Sequence, residues 1–341
     1  MKTLLLDALY INNSGGKILL DYLIDVLEQS DIPVCYLLDK RIENQGRNIK
    51  KSNPVYYVEA SLVQRHRFYK MHSISFNKVL CFGNLPPTIR LSIPVFTYFH
   101  QKLFISVPDD VPVSQKLLLR LKTKIFKFLQ PHTDYWLVQT DIVKEDFTLK
   151  FSKIIPEKVL LMPFYPQIKV DEVVRIIREK HCYVYVSNGS PHKNHVRLLN
   201  AFIKFYNTHQ LGELHLTVGN EFPGLITTIR SLQSQGYPII NHGFIAHSEL
   251  AKIYKKAEYL IFPSLSESFG LGLIEAIENG CKVIGADIPY TFAVCNPSII
   301  FDPLKVDDIV KAFEKTLEDN TRPTEQLVFN KINELIKILT N

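Results

Sequence analysis

Short apolar runs alternate with amphipathic segments along the whole 341-residue chain. Continuous runs such as 33–38 and 95–99 are typical of strands that are buried on both faces of a parallel sheet. Between such runs, segments such as 17–29 place apolar residues at the helical period. The second half repeats the pattern, starting with the apolar run 182–186. This alternation predicts an α/β protein with two doubly wound domains.

The domain boundary is predicted near residue 165. Pro163 and Pro166 follow the last apolar run of the first half, and a polar stretch follows them. We therefore expect an N-terminal domain over 1–165 and a second domain over 166–320. In the remaining segment, 321–341, an amphipathic pattern over 325–339 predicts a helix that packs across the junction.

Composition narrows the range of partners. A net charge of +6 suits anionic small molecules or an anionic membrane surface, and the chain has no long basic run of the kind that binds nucleic acid. Five scattered cysteines without a C-x-x-C pair indicate reduced thiols in a cytosolic protein. We expect no signal peptide, because the apolar start of the chain is short, is interrupted by Asp7 and is not followed by a small-residue cleavage site. We expect no membrane span, because no apolar run approaches about 18 residues.

The most informative chemical pattern is the stretch 264–276, which lies between an apolar run and a helical pattern. Gly270 and Gly272 leave the backbone open where the helix starts, and free N–H groups and the helix dipole attract phosphate there. Glu267 and Glu275 flank this position, and carboxylates accept hydrogen bonds from paired hydroxyls. A phosphate site between two such acids predicts a sugar nucleotide as ligand.

This string, with seven residues between Glu267 and Glu275 and Phe-Gly-Leu among them, resembles the E-x7-E motif of retaining glycosyltransferases of family 4. The resemblance is strongest over 182–315 and weaker over 1–165. It implies the GT-B fold, with two Rossmann-like domains facing each other across a cleft. It also implies that Glu267 orients the sugar and that Glu275 binds the ribose of a UDP or GDP sugar. We expect no metal, since the chain has no D-x-D triplet, and no cofactor, since the sugar nucleotide is itself the substrate.

A second segment, 187–195, resembles the family loop that neutralises the donor diphosphate. Lys193 falls on the family's cation. Asn188 stands where the family has an arginine, so one charge on the diphosphate is missing.

The resemblance assigns roles to further positions. The Gly15-Gly16 loop, which from its residues alone is equally a tight turn, would contact donor phosphate or acceptor, and His100 would lie beside the transferred sugar. The backbone around Phe244 and Ile245 would hold the nucleobase. The catalytic candidates are His100, Lys193 and Glu267, and the donor-binding candidates are Gly15, Gly16, Asn188, Lys193, Gly219, Phe244, Ile245, Ser268, Phe269, Gly270, Leu271 and Glu275.

The segment 116–129 is a basic amphipathic helix without an acid. Its helical period predicts one stripe packed on the sheet (Leu117, Leu118, Leu121, Ile125, Phe128 and Leu129) and a basic face opposite (Lys116, Arg120, Lys124 and Lys127). Leu119 and Phe126 would then lie outside the core, beside Lys122. An apolar ridge flanked by lysines fits an anionic membrane surface, although a merely solvated basic face remains the alternative.

The resemblance, together with these patterns, implies a cytoplasmic glycosyltransferase, peripheral on the inner face of the cell membrane, that acts in polysaccharide, lipopolysaccharide or glycolipid synthesis. Its partners would be a nucleotide sugar and a carbohydrate or lipid-linked acceptor. Two alternatives stay open, a non-catalytic subunit that binds sugar nucleotides and a nucleotide-sugar epimerase on the same fold.

Overall fold

The computed structural model describes residues 3–101, 104–105, 113–168 and 176–340, without the side chains of 14 and 113–116. The chain divides into two compact units. The first comprises Met1–Pro166 together with Phe329–Asn341, and the second comprises Gln167–Val328. The apolar cores of both units surround parallel sheets, as the alternating pattern predicts.

The first unit contains a seven-stranded parallel sheet in the order β3-β2-β1-β4-β5-β6-β7 within its described part. Its strands are β1 (Thr3–Ala8), β2 (Val34–Asp39), β3 (Val55–Val58), β4 (Phe76–Cys81), β5 (Val95–Tyr98), β6 (Tyr135–Val138) and β7 (Val159–Leu161). The helices are α1 (Ser14–Gln29), α2 (Leu62–His72), α3 (Val113–Leu129) and α4 (Asp141–Lys150). The strand order reverses between β1 and β4, and ligands bind at the carboxyl ends of strands at such a point.

The second unit repeats this plan with a six-stranded parallel sheet in the order β10-β9-β8-β11-β12-β14. Its strands are β8 (Glu179–Tyr185), β9 (Glu213–Leu216), β10 (Ile239–Asn241), β11 (Ala257–Phe262), β12 (Lys282–Ala286) and β14 (Ile299–Phe301). The helices are α5 (His195–His209), α6 (Pro223–Ser234), α7 (Leu250–Lys256), α8 (Leu271–Glu278), α9 (Pro289–Val294) and α10 (Val306–Lys315). Here the order reverses between β8 and β11. These strands precede the segments 187–195 and 264–270, which are called the two motif loops below.

The predicted helix over 325–339 is wrong in its first half. Glu325–Gln326 is a short strand, β15, which pairs antiparallel with β13 (Cys295–Asn296), and the last helix, α11, spans Ile332–Thr340. The backbone of the strand pair takes the hydrogen bonds that a longer helix would use. The boundary therefore falls inside the segment 321–341, because residues after Val328 belong to the first unit.

The apolar stripe predicted for α3 is wrong in most of its residues, although Leu129 is buried as predicted. Phe126 is buried in an aromatic cluster, with its ring centroid 5.2 Å from that of Trp136 and 4.6 Å from that of Phe151. Leu119 is half-buried on the same face, whereas the residues assigned to the core stripe at Leu117, Leu118, Leu121 and Phe128 are exposed. The segment contains two apolar stripes with the same helical period. The stripe that contains Phe126 faces the core because its aromatic ring packs against Trp136 and Phe151. The side chain of Lys116 lies outside the described residues.

All five cysteines are buried free thiols. Cys35 and Cys81 belong to the first unit, and Cys182, Cys281 and Cys295 belong to the second. Burial raises the pKa of the Cys281 thiol to about 11 and that of the Cys81 thiol to about 12. These thiols therefore act as small core residues.

Candidate active site

The loop between β11 and α8 turns at Gly270, whose φ of +74° lies in the left-handed region. A Cβ atom at this position would approach the Leu273 Cδ1 atom to 3.0 Å. Backbone and packing thus both favour glycine here. In the part of the chain that the structure describes, no side chain caps the start of α8 with a hydrogen bond. Its first backbone N–H groups, together with the helix dipole, favour an anion at this end.

Lys193 and Glu267 form an ion pair beside this turn. The Lys193 Nζ atom lies 2.5 Å from Glu267 Oε1, and the two side chains are only 15% and 14% exposed. Lys193 ends a 3₁₀ turn, Pro191–Lys193, that follows β8, while Glu267 lies three residues before Gly270. The structure therefore brings two sequence-predicted residues, 74 positions apart, into direct contact.

Hydrogen bonds join the two loops that carry this pair. The Leu265 N–H donates to the His192 carbonyl at 2.8 Å. The buried Asn194 amide donates to the Pro263 carbonyl at 3.1 Å and to the Pro303 carbonyl at 2.8 Å. The left-handed backbone of Asn194, with φ of +63°, allows these bonds at the start of α5. They fix Lys193 against the motif loop.

Glu275 lies one turn into α8 and is 5% exposed. His247 Nε2 lies 2.6 Å from Glu275 Oε1. The buried Tyr254 hydroxyl donates to the other oxygen, Oε2, at 3.2 Å. Burial and the Glu275 charge together raise the Tyr254 pKa well above its ordinary value. The carboxylate is thus held by a protein donor on each oxygen.

The other candidates of the second unit surround these loops less directly. The Asn188 side chain accepts from the Ser190 N–H at 3.1 Å, within its own loop. The Glu221 carboxylate covers the position where Gly219 lacks a Cβ atom. Phe244 is 87% exposed in the loop after β10, and Ile245 beside it is half-buried. Within the motif loop, Phe269 is buried, and Ser268 and Leu271 are half-buried.

In the first unit, Gly16 and His100 are neighbours. A Cβ atom at Gly16 would lie 3.1 Å from the His100 Cε1 atom, whereas the same atom at Gly15 would meet open space. His100 Nε2 is buried and has no hydrogen-bond partner among the described residues, and burial lowers the His100 pKa to about 4. The Asn84 side chain fixes the backbone by accepting from the His100 N–H at 2.7 Å. His100 is therefore a neutral imidazole with one unpaired nitrogen.

Sequence reasoning missed His247, Tyr254 and Asn194. Their partners lie 21 to 109 positions away, so no local spacing shows the contacts. The one available signal is the Lys193-Asn194 pair, since asparagine is a residue that tolerates the left-handed conformation. Within the described ranges, no three His, Cys, Asp or Glu side chains come together in a way that could hold a metal ion.

The loops around Lys193, Glu267 and Glu275 lie within a recognised family segment. Residues 167–332 match the model described as glycosyl transferases group 1. This segment, just under half of the chain, is similar to glycosyl transferases group 1. The group 1 segment contains both motif loops and all candidates of the second unit.

Relatives and solved structures extend the likeness beyond the group 1 segment. A serotype-specific mannosyltransferase, WbdA of Escherichia coli, is 22% identical over 304 residues, which cover 84% of this chain and 36% of that protein. The chain thus spans about a third of the length of the mannosyltransferase it matches. Among solved structures, WaaG, a glycosyltransferase involved in lipopolysaccharide biosynthesis, aligns with a TM-score of 0.68 at 14% identity, covering 99% of this chain and 100% of its own.

HepE from Anabaena, solved in complex with UDP and glucose, aligns with a TM-score of 0.66 at 13% identity, covering 94% of this chain and 90% of its own. These likenesses show the fold, which is GT-B as the motif predicts. None of the described helices combines the length and the apolar character that a membrane crossing needs.

Proposed function

We propose that this chain is a retaining, metal-independent glycosyltransferase that moves a sugar from a UDP or GDP sugar to an acceptor hydroxyl. The observation that carries the proposal is the contact between Lys193 and Glu267 at the loop that opens α8. One turn further along the same helix, Glu275 adds a second carboxylate. A cation, an uncapped helix start and two carboxylates match the charges and hydroxyls of a nucleoside diphosphate sugar.

The proposed chemistry is an exchange of ion pairs. In the unliganded protein Lys193 neutralises Glu267. The donor diphosphate, as the stronger anion, takes Lys193 and releases the Glu267 carboxylate to accept hydrogen bonds from sugar hydroxyls. As the bond from the anomeric carbon to the diphosphate breaks, Lys193 and the α8 amides stabilise the charge on the leaving oxygen. That oxygen takes the acceptor proton on the same face, so the new bond forms with retention.

His100 supplies a neutral hydrogen-bonding group in this proposal. Its lowered pKa keeps the imidazole uncharged near pH 7, and its unpaired Nε2 suits a sugar hydroxyl. Asn188 leaves Lys193 without the family's second cation. An Asn188→Arg variant should therefore bind the donor more tightly.

The test is transfer from a panel of UDP and GDP sugars to saccharide and glycolipid acceptors, with the product anomer assigned by NMR. The proposal expects retained configuration and full activity after metal chelation. Inverted product, or loss of activity with the chelator, would overturn it. Binding without turnover across the panel would support a non-catalytic subunit, and an epimerised donor sugar would support an epimerase.

We further propose that α3 meets an anionic membrane surface that holds a lipid-linked acceptor. Exposed leucines at 117, 118 and 121 and the 75% exposed Phe128 form an outward stripe. The stripe adjoins a groove of about 690 Å³ lined by α2 and α3. Exposed basic residues (Arg120, Lys122, Lys124 and Lys127) flank it, and α3 contains no acid. Apolar residues flanked by lysines suit an anionic interface, while solvated charge alone does not explain the leucines.

The proposed site of action is the cytoplasmic face of the membrane. All five thiols are free and buried, which fits a reducing compartment. WbdA is a serotype-specific mannosyltransferase and WaaG is involved in lipopolysaccharide biosynthesis, which makes cell-surface polysaccharide or glycolipid the proposed product class.

A further inference from the structure

His247 makes the only described side-chain contact from the loop after β10 to Glu275. It begins a 3₁₀ turn, His247–Glu249, that leads into α7, and its partner lies 28 positions later on α8. A carboxylate can only accept, so the His247 Nε2 atom carries the proton and donates at 2.6 Å. This hydrogen bond connects the loop that contains Gly243 and Phe244 to α8.

His247 and Tyr254 anchor the Glu275 carboxylate and fix its orientation. An ionised carboxylate has about four acceptor sites, two on each oxygen. His247 occupies one on Oε1 and Tyr254 occupies one on Oε2. Among the described residues no other side chain donates to the Glu275 carboxylate, so each oxygen keeps one free acceptor site. The plane of the carboxylate cannot rotate without breaking one of the two bonds. Two neighbouring hydroxyls can then bind without a further loss of side-chain freedom.

We propose that His247 is a positioning residue that fixes the Glu275 carboxylate to accept both hydroxyls of a ribose at once. This inference rests on the proposed function, in which Glu275 binds the donor ribose. Tyr254 is fully buried and serves as the inner anchor, whereas the His247 side chain is 25% exposed and reaches the surface of the site. His247 thereby sets the preference of the site for ribose over deoxyribose.

The experiment is calorimetric titration of UDP, GDP and their 2′-deoxy forms into the wild type and the His247→Ala and His247→Gln variants. We expect the wild type to prefer the ribonucleotide by about tenfold, as for one hydrogen bond to a charged group. His247→Ala should reduce that preference to about twofold and change deoxynucleotide affinity little. His247→Gln, whose amide can donate to Glu275, should restore most of it. In transfer assays the donor KM should rise in His247→Ala while kcat stays unchanged.

A matched control is His209→Ala, which removes another histidine that contacts a glutamate, Glu314, at 3.3 Å on the surface of the same unit. It should leave the preference intact. If His247→Ala weakens both nucleotides equally, or keeps the wild-type preference, His247 only joins α7 to α8 and the inference is wrong.

A Glu275→Gln arm separates this result from the proposed function. If Glu275→Gln also keeps the preference, the ribose assignment itself fails, and the positioning role fails with it. If Glu275→Gln abolishes the preference while His247→Ala retains it, only the inference about His247 is overturned. A wild type that does not discriminate, or binds neither nucleotide, contradicts both.

Discussion

Lys193 and Glu267 neutralise each other in a site that is largely closed to water. A partly buried ion pair of this kind gains little for folding, because desolvation offsets attraction. The pair matters for binding instead, because a diphosphate can replace Glu267 as the partner of Lys193 without moving the lysine far. This single contact therefore connects the unliganded state with the proposed leaving-group chemistry.

We expect Lys193→Ala to lower turnover by about 100-fold, in the range for one lost pre-organised donor. Steady-state kinetics with a saturating donor measures this. Lys315→Ala, an exposed lysine on α10, is the control and should be silent. Turnover close to that of the wild type in Lys193→Ala would contradict the role assigned to this loop.

A buried neutral histidine gives the fold a pH dependence. Burial, and then the Lys193 charge, lower the His195 pKa from 6.5 to about 4. Between these values the unfolded chain binds a proton that the folded chain does not. The stabilisation is therefore complete above pH 6.5 and is lost as the pH falls towards 4.

We expect His195 to account for a loss of about 2 kcal/mol in unfolding free energy between pH 7 and pH 5. Urea denaturation of the wild type and of His195→Gln at both pH values measures it. The variant should lose correspondingly less over the same interval. An equal loss in the two proteins would show that His195 does not contribute to this pH dependence.

At the scale of elements, the turn into α8 combines a left-handed glycine with an uncapped helix start. We expect Gly270→Ala to destabilise the fold by about 1 kcal/mol or more and to weaken nucleotide binding, because it strains the backbone that presents the amides. Gly224→Ala, in α6 with open space around the position, should be neutral or stabilising. Thermal unfolding and nucleotide titration of both variants measure the difference.

The outward stripe of α3 makes a second prediction at this scale. Co-sedimentation with liposomes should rise with anionic lipid and fall with salt, since each basic residue adds about 1 kcal/mol near such a surface. The Leu121→Ser/Phe128→Ser double variant should reduce binding by about tenfold or more, as burial of both side chains is lost. Leu149→Ser, an exposed leucine on α4, should not reduce it. If the protein stays in the supernatant at low salt, the membrane proposal is wrong and the basic face of α3 is only solvated.

At the scale of the whole molecule, the chain returns to its first unit after Val328. Ile332, Leu335 and Leu339 on α11 are buried there, and the Lys78 side chain donates to the Ile338 carbonyl at 2.8 Å. A chain that ends at residue 328 loses this burial, which is worth about 1.5–3 kcal/mol for each side chain. Hydrogen exchange should show faster opening of β4 in the truncated protein, with the protection of β11 unchanged.

Sequence reasoning predicted what depends on local pattern. The buried strands, the motif helix and the GT-B fold follow from apolar runs and from the string around Gly270. It did not predict α2, whose core-facing side includes Arg65, because the buried pair of Arg65 with Asp7 hides the apolar stripe. It also placed the wrong apolar stripe of α3 in the core for most of the helix, because two stripes share one period there. The hydrogen bonds from His247 and Tyr254 to Glu275 are tertiary contacts, which the spacing of residues in the sequence does not reveal.

The five buried thiols can report local unfolding of the regions that surround them. A thiol reagent can react only when a cysteine is exposed, so the labelling rate follows the opening free energy of its surroundings. Cys281 contacts the Tyr254 carbonyl at 3.0 Å, next to the inner anchor of Glu275. A bound nucleotide should therefore slow the labelling of Cys281 and leave Cys35 and Cys81 in the other unit unchanged. Peptide mass spectrometry would then show which half of the molecule a ligand stabilises, with no added probe.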